Sequence, residues 1–420
     1  MKAAYSPMQA GVLLLFLTLL NALNFTDRFL IQGFAVDIIR DLQLSKVEFT
    51  LLTGFVFTGF YTLVGLVMGV LADRLHRPRL MAAGLLFWSV LTMATGAVTN
   101  FAQAAAVRVF TGVGEATLTP AALGLLGDVM HPSRRAFASG CYYIGSPLDI
   151  GLAFIVAGNL GTMLGWRQCF LLLGTLGVLL CFGLLLLREP RATRDSPKTT
   201  KAREFAPLQE MATLFRTSPA LCLVFAGAIC VIFAQGTFVL DQLWLVQERG
   251  FAKAHAQNLF GMMFLCGGVL GAVLGGWCGD ALQTRIAGGR LYFLAFAYMV
   301  GAPLGYGLRL ADPAGYIFLP CMFAASVMAT IGYGAIFASV QDLTPAHLRS
   351  STTALLILCM TLFGTSPGNL TVGWLADALT HTGHREPITD AVLIASSVWL
   401  PAIPCFWLAA KWVKKKRLRT

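Results

Sequence analysis

Charged residues are scarce in this 420-residue sequence: Asp, Glu, Lys and Arg together make up 12% of it, whereas 57% is hydrophobic. Soluble domains carry about a quarter charged residues, because their surfaces face water. The apolar residues here also run in segments of roughly 20 residues, which is the length that crosses a bilayer. A soluble fold is therefore excluded. A membrane β-barrel is excluded as well, because its short alternating strands are missing.

Patterns typical of enzymes and pumps are missing too. No CxxC pair, no HExxH zinc motif and no P-loop occurs, and the six histidines all lie between the apolar segments. The gaps between segments are also too short to hold the sensing domain of a receptor. We therefore expect no enzyme activity, no cofactor and no metal site.

Twelve apolar segments are long enough to cross a membrane as helices, which predicts an all-α membrane protein. The first resembles a signal peptide, but no small-residue cleavage site follows it, so we interpret it as a membrane helix. We number these predicted spans one to twelve: 9–33, 48–72, 79–100, 103–127, 137–160, 167–187, 218–246, 257–279, 291–309, 315–339, 351–376 and 391–411.

The net charge of +11 follows from how Lys and Arg are distributed among the gaps. With a cytoplasmic N-terminus, 22 of them lie on the cytoplasmic side and seven on the other. Basic residues are retained on the cytoplasmic side of membrane proteins. The bias predicts that both termini are cytoplasmic, and it makes nucleic-acid binding unnecessary as an explanation of the charge.

The longest gap divides the chain into two halves of six spans. We predict an N-terminal six-helix bundle over 1–187, a cytoplasmic linker over 188–217 and a C-terminal bundle with a basic tail over 218–420. Helical spacing within the linker predicts one short surface helix near 208–215.

The two halves share motifs in the same order, which indicates a duplication. Asp128 precedes Arg135 by seven residues after span four, and Asp342 precedes Arg349 by seven after span ten. Duplicated six-helix halves are typical of secondary transporters, which bind substrate near the middle of the membrane. The architecture therefore predicts two pseudo-symmetric six-helix bundles.

Two motifs resemble signatures of the major facilitator superfamily: Gly69-x-Leu71-Ala72-Asp73-Arg74-x-x-Arg77, and Arg108-x-x-x-Gly112-x-Gly114-Glu115-Ala116. A narrower resemblance is to the Spinster-like branch, and it rests on Asn24-x-x-Asp27-Arg28 with Ile38 and Asp41, Gly112–Ala116 and Gly165-Trp166-Arg167. The resemblance implies the major facilitator fold and transport by alternating access. It also implies that Gly69, Asp73, Arg74 and Arg77 form a cytoplasmic gating latch. Relatives in the Spinster-like branch export lysophospholipids or sphingoid lipids. Asp149 departs from that branch, which usually has a small residue there.

Six charged residues fall inside the predicted spans: Asp27, Arg28, Arg108, Glu115, Asp149 and Asp241. A charge in hydrocarbon costs at least about 2.5 kcal/mol, so such residues are candidates for function. Counting from the span ends predicts two layers, with Asp27, Arg28 and Arg108 nearer the outer edge and two carboxylates, Glu115 and Asp149, near the midplane. The alternative is a purely structural cluster of ion pairs. Asp241 lies close to the outer end of span seven, where solvation would also explain it.

Polar residues gathered on one face of a membrane helix should point at a cavity or a neighbouring helix. The predicted substrate-binding residues on such faces are Arg28, Arg108, Asn24, Thr111 and Tyr142. Proton coupling is assigned to Glu115, Asp27 and Asp149, with Arg108 either binding an anion or keeping Glu115 ionised. The second half is expected to hold almost no buried charge, which would suit an amphipathic substrate.

The resulting functional hypothesis is a monomeric, proton-coupled secondary transporter of an amphipathic organic anion, such as a lysolipid or an organic acid. Its partners are the small-molecule or lipid substrate, protons and the lipid bilayer of a bacterial cytoplasmic membrane. Efflux of lipophilic cations, attracted by Asp27, Glu115 and Asp149, is the alternative transport function.

Overall fold

The computed structural model describes residues 5–130, 142, 145–190, 206–345 and 348–417, and these are almost entirely helical. They group into two compact units. Unit 1 comprises residues 1–198 with 251–261, and unit 2 comprises 199–250 with 262–420. The first turns of the helix that begins at Lys253 thus belong to unit 1. The predicted domain limits at 187 and 218 stay a prediction.

Unit 1 contains the helices of the first six predicted spans, several of which are broken into two pieces. They are α1 Pro7–Gly33, α2 Ala35–Asp41, α3 Lys46–Thr53, α4 Phe55–Arg74, α5 Arg77–Thr95, α6 Phe101–Glu115, α7 Leu118–Val129 and α8 Gly145–Leu185.

The helices of the second half begin with the short helix predicted in the linker, which is observed as α9. They are α9 Ala206–Thr217, α10 Pro219–Gly236, α11 Asp241–Gln247, α12 Lys253–Arg285, α13 Gly289–Leu310, α14 Phe318–Ile331, α15 Tyr333–Asp342, α16 Arg349–Cys359, α17 Ser366–His381, α18 Pro387–Ser396 and α19 Ala402–Arg417.

Within the described residues, eleven helical runs are long and apolar enough to cross a membrane. One of them, Ile150–Leu185, has 36 residues and covers the second half of predicted span five and nearly all of span six. Gly165 interrupts it with a left-handed backbone (φ 78°, ψ 162°), which a side chain would strain. The chain therefore turns at a single glycine, and the twelve-helix all-α fold is present with two of its helices joined there.

Each unit has its own apolar core, because Leu and Ala line the facing sides of its helices. In unit 1 the side chains of Leu17, Leu20, Leu85 and Leu125 are completely buried. In unit 2 Leu221, Val224 and Phe406 are completely buried in the same way. Large apolar side chains such as Met163 and Leu186 are exposed instead, as expected where a helix faces lipid rather than water.

Equivalent ion pairs follow from the internal repeat. In unit 1 Arg77 Nη1 lies 2.7 Å from Asp128 Oδ2. In unit 2 Arg290 Nη1 contacts Asp342 Oδ2, the counterpart of Asp128 in the repeat, and Arg290 also pairs with Asp280. The sequence matches around Asp128 and Asp342 therefore correspond to the same contact in each half.

Helix breaks lie next to the charged residues of unit 1. Gly54 separates α3 from α4, three residues before Phe57. Ala116 and Thr117 separate α6 from α7 directly after Glu115, and both the hydroxyl and the backbone N–H of Thr117 donate to the carbonyl of Gly114. Each break lies within three residues of a side chain that belongs to the cluster described below.

Unit 2 has a comparable irregularity, a π-helical turn over Met360–Thr365. It overlaps Gly364-Thr365-Ser366-Pro367-Gly368, whose letters match the G-x-S-x-G pattern of hydrolases. A hydrolase needs that pattern at a sharp turn from strand to helix. Here Ser366 opens helix α17 within a continuous helical run and is buried, so the match carries no catalytic geometry.

Candidate functional site

The buried charges of unit 1 form one cluster. Arg28 on α1 and Glu115 on α6 pair directly, with 2.9 Å between Arg28 Nη2 and Glu115 Oε2. The Glu115 side chain is completely buried, and that of Arg28 is 20% exposed. This contact joins the two predicted layers, because the Arg28 side chain reaches Glu115 across the separation that was counted from the span ends.

Asp27 lies in the same cluster but faces a different helix. Its Oδ2 accepts a hydrogen bond from Thr92 Oγ1 of α5, at 2.9 Å. Asp27 is 2% exposed, and its carboxyl group also interacts with that of Glu115. Two buried carboxyl groups are therefore close to each other, and Glu115 Oε1 has no hydrogen-bond partner among the described residues.

Arg108 is the least satisfied member of the cluster. It is 2% exposed, and neither Nε nor Nη2 has a hydrogen-bond partner among the described residues. Its guanidinium lies 4.7 Å from the centre of the Phe57 ring. Buried donors are nearly always paired, so two open donors on one buried guanidinium are available to a ligand. Arg28 makes the direct ion pair with Glu115, and Arg108 interacts with Glu115 electrostatically without a hydrogen bond among the described residues.

The other predicted substrate-binding residues differ in how far their polar groups are already used. Asn24 Oδ1 lies 3.4 Å from Arg28 Nη2, while Asn24 Nδ2 is buried without a partner. Thr111 donates its hydroxyl proton to the carbonyl of Val107 on its own helix. Tyr142 is completely buried, its hydroxyl lies 3.3 Å from Thr119 Oγ1, and its carbonyl accepts from Asn21. Asn24 thus extends the cluster, whereas Tyr142 packs in the core.

Three rings that the sequence analysis did not single out surround Arg28. The guanidinium lies 5.1 Å from the ring centre of Phe25, 4.8 Å from that of Phe57 and 4.4 Å from that of Tyr61. Phe57 and Tyr61 are four residues apart on α4 and so share a face. That spacing was visible in the sequence, but apolar stripes of this kind are far more often core.

Glycines let the helices of the cluster approach closely. A Cβ on Gly112 would lie 3.1 Å from the carbonyl oxygen of Phe57, and one on Gly114 would lie 2.7 Å from Cβ of Trp88. Both distances are too short for a methyl group at close packing. The Gly-x-Gly-Glu motif therefore brings Glu115 against its neighbours by bringing backbones together.

Several predicted residues have side chains outside the described part of the structure. They are Asp149 of the proton-coupling set and Gly69, Asp73 and Arg74 of the gating set, whose backbones are helical. Arg77 of the gating set is described: it is buried, it pairs with Asp128, and its backbone N–H donates to Glu189 Oε2 at 2.8 Å.

Unit 2 holds a buried ion pair, which corrects the expectation that it has almost no buried charge. Asp241 pairs with Arg309, and their side chains are 9% and 4% exposed. The guanidinium of Arg309 stacks 4.3 Å from the Trp244 ring, and Trp244 donates to Thr389 Oγ1. Asp241 is therefore not a solvated terminal residue. Its partner was missed because Arg309 lies at the very end of its predicted span.

The motif Gly165-Trp166-Arg167 contacts Asp41, which is another of the residues that resemble the Spinster-like branch. Trp166 Nε1 donates to Asp41 Oδ2 at 2.9 Å, and this hydrogen bond holds the pKa of Asp41 below its usual value of 3.8. Arg167 Nη1 donates to the carbonyls of Gly96 and Val98, which follow the end of α5. The motif thus joins the turn within α8 to the ends of α2 and α5.

The cluster contains two carboxyl groups and two guanidiniums: Asp27, Glu115, Arg28 and Arg108. With all four ionised its net charge is zero, and protonation of one carboxyl group leaves one positive charge. Desolvation favours the neutral form of a carboxyl group, and a guanidinium stays charged. Binding of one proton can therefore leave the cluster with one excess positive charge, which a singly charged anion can balance.

Comparisons with known proteins agree with this architecture. Residues 17–381 match the family model of the Major Facilitator Superfamily. An "MFS-type efflux pump" of Mycolicibacterium smegmatis is 27% identical over 97% of this chain and 94% of its own length. "Probable sphingolipid transporter spinster homolog 1" of Arabidopsis thaliana is 22% identical over 91% of this chain and 86% of its own.

A solved structure has the same fold over nearly the whole chain. It is a bacterial homologue of the human lysosomal transporter Spinster, in an inward-facing and unoccupied conformation, with a TM-score of 0.85 and 22% identity. It covers 98% of this chain and 99% of its own. The chain therefore belongs to the Major Facilitator Superfamily, and its sequence and fold are similar to those of Spinster proteins.

Proposed function

We propose that this protein transports an amphipathic organic anion by alternating access, driven by protons that bind at Glu115. The observation that carries the proposal is the pairing of Arg28 with Glu115 beside Arg108, whose Nε and Nη2 have no hydrogen-bond partner among the described residues. While Glu115 is ionised, it occupies Arg28. Once protonated, it releases Arg28, and two guanidiniums can then take one anionic group. Arginine suits carboxylate, sulfonate and phosphate groups because its donors form a planar fork.

The amphipathic part of the proposal is supported by the surroundings of Arg28. Phe25, Phe57 and Tyr61 line the guanidinium, so that an anionic head bound there would have apolar carbon close to it. The name of the Arabidopsis relative also describes a lipid transporter. Because the second half contains the buried pair Asp241–Arg309, a lack of buried charge there does not support an amphipathic substrate.

The test uses proteoliposomes and a binding assay with decanesulfonate, an amphipathic anion whose charge does not change between pH 5 and 8. Decanesulfonate should bind more tightly as the pH falls, because a proton and the anion bind together. Glu115→Gln, which resembles the protonated form, should bind equally at all pH values, keep exchange of anion for anion and lose proton-driven accumulation. Uphill transport by Glu115→Gln with an unchanged pH profile would assign the coupling proton to another group, with Asp27 first.

Efflux of lipophilic cations is the second candidate, and the name of the mycobacterial relative favours it. Asp27 and Glu115 would then attract the cation, and the arginines would only balance their charge. Thermal unfolding of the purified protein against decanesulfonate, a lysophospholipid and the dye ethidium separates the two. Stabilisation by ethidium that Glu115→Gln removes and Arg108→Ala preserves would favour the cation.

We further infer that the protein lies in the cytoplasmic membrane of a bacterium with both termini in the cytoplasm. The distribution of Lys and Arg supports this orientation, with 22 of them on the cytoplasmic side and seven on the other.

A further inference from the structure

Arg28 has more stabilising partners than its ion pair requires. Besides Glu115 it has three aromatic rings within about 5 Å of its guanidinium, from Phe25, Phe57 and Tyr61, which we call the aromatic cage. An aromatic face attracts a cation through its quadrupole, most strongly when water is excluded. A guanidinium already neutralised by a carboxylate gains little from it.

We propose that the aromatic cage stabilises Arg28 while Glu115 is protonated, and so sets the pH at which the site accepts an anion. The inference rests on the proposed function, in which Arg28 loses its counter-ion at that step. The rings stay neutral at every pH that the protein meets, so they compensate the cation without competing with the anion. A second carboxylate in their place would compensate Arg28 but would repel the substrate.

Among the described charged groups that face Arg28, none replaces Glu115 as its direct ion-pair partner when Glu115 is protonated. Glu115 on α6 is the group that becomes neutral, and Arg108 on the same helix carries a like charge. Asp27 on α1 accepts a hydrogen bond from Thr92 and interacts more strongly with Arg108 than with Arg28, so the charge that it keeps compensates mainly Arg108. Asp149 on α8 lies outside the described side chains, and Tyr61 on α4 belongs to the cage itself.

Phe57 carries the largest effect of the three. Its ring lies 4.8 Å from the guanidinium of Arg28 and 4.7 Å from that of Arg108, so both cations share it. It is 2% exposed, and its ring stacks on Tyr61 with 5.8 Å between the centres. When Glu115 is neutral, two buried guanidiniums share one remaining carboxylate, that of Asp27, and this ring contacts both guanidiniums.

The direction of the effect follows from which state the rings stabilise. They favour the state with a neutral Glu115 and an uncompensated Arg28 over the state with the ion pair. Without a ring, the ion pair persists to lower pH, and more acid is needed to admit the anion. From the usual strength of cation–π contacts, Phe57→Leu should shift the midpoint of the binding profile down by about half to one pH unit.

The experiment compares Phe57→Leu with Tyr61→Leu, Tyr61→Phe and Phe170→Leu. Phe170 is completely buried against other rings of unit 1 and contacts no cation among the described residues, so it controls for the loss of a buried ring. Decanesulfonate binding is measured from pH 5 to 8. The Leu variants at 57 and 61 should shift the midpoint downward, and Phe170→Leu should not. Tyr61→Phe keeps the ring but loses a hydroxyl that interacts with Arg28, so it should shift the midpoint less than Tyr61→Leu does.

A readout without ligand separates this inference from the proposed function. The infrared band of the protonated carboxyl group of Glu115, assigned by its loss in Glu115→Gln, should grow in at lower pH in Phe57→Leu and in Tyr61→Leu. Failure of decanesulfonate to bind would overturn the proposed function and leave this band to test the cage. An unchanged band in both Leu variants would overturn the cage, even where proton-driven transport depends on Glu115.

Discussion

Arg28 and Glu115 lie 87 residues apart in the chain and 2.9 Å apart in the structure. The pair is buried in unit 1, and its energy depends on keeping both charges away from water while they contact each other. Proton coupling requires that such a pair can be opened by one proton. The neighbouring Arg108, which has open donors, supplies a reason for an anion to enter when it opens.

Arg108→Ala should weaken binding of decanesulfonate by at least about tenfold, because two charged donors are lost. Arg108→Lys should restore part of the affinity, since a point charge replaces the fork only in part. Binding is measured by calorimetry at pH 5, where the site accepts the anion. Wild-type affinity in Arg108→Ala, with normal thermal unfolding, would leave Arg108 with a structural role alone.

Asp73→Asn should impair transport and leave decanesulfonate binding intact, because a latch changes the balance between two states rather than the site. Arg79→Gln is the matched control: Arg79 is exposed in the first turn of α5, six residues after Asp73, and stands outside the motif, so neither property should change. Loss of binding together with transport in Asp73→Asn would contradict the latch.

Asp41→Asn should lower the thermal stability at neutral pH by about 1 kcal/mol, because the charged acceptor of Trp166 Nε1 is lost. The pKa of Asp41 is lowered by this bond, so its stabilisation is complete above the usual value of 3.8 and disappears as the pH falls through the lower folded value. The difference between the two proteins should therefore be constant from pH 7 to 5 and shrink below about 4. In a Trp166→Phe background the substitution should have little effect, and an equal effect there would exclude the Trp166 contact as its cause.

Asp241→Asn or Arg309→Gln alone should destabilise unit 2 by about 3–5 kcal/mol, because each leaves a buried charge without its partner. Asp241→Leu combined with Arg309→Met should cost much less than the sum of the single changes. Asp280→Asn is the control, since Asp280 is 66% exposed and its pair with Arg290 should contribute under about 1 kcal/mol. Thermal unfolding in detergent measures all four. Additive losses would show that the pair is not energetically coupled.

The orientation is tested by cysteine labelling of intact cells, in a background without the ten native cysteines. Thiols introduced at Ala252 and His384 should react with an impermeant reagent, and one at Lys198 should react only after the cells are opened. Labelling at Lys198 in intact cells would reverse the assigned sides.

The sequence predicted the helical architecture well because hydrophobic length is a strong, local signal. Twelve spans, the linker helix and the repeat around Asp128 and Asp342 all follow from patterns within a few dozen residues. Helix pairing is different: nothing near Glu115 in the sequence indicates that Arg28 contacts it. Depth counted from span ends placed these two residues in separate layers, because the count does not include the reach of a long arginine side chain toward a neighbouring helix.

The same limit explains the residues that sequence reasoning missed. Charged residues inside spans stand out by their cost, so Asp27, Arg108 and Asp241 were identified as candidates. Phe57 and Tyr61 have no such cost and cannot be distinguished from packing residues without the guanidiniums beside them. Arg309 escaped notice because a basic residue at the end of a span is normally explained by the water or headgroups next to it.

The turn at Gly165 leaves almost no slack between the two helical segments that it joins, since consecutive Cα atoms stand only 3.8 Å apart. The residues that follow are fastened on both sides, Trp166 to Asp41 and Arg167 to the carbonyls after α5. The turn in α8 is therefore bonded to α2 and to the segment that follows α5. If one of these helices tilts near the turn, we expect the other two to move with it.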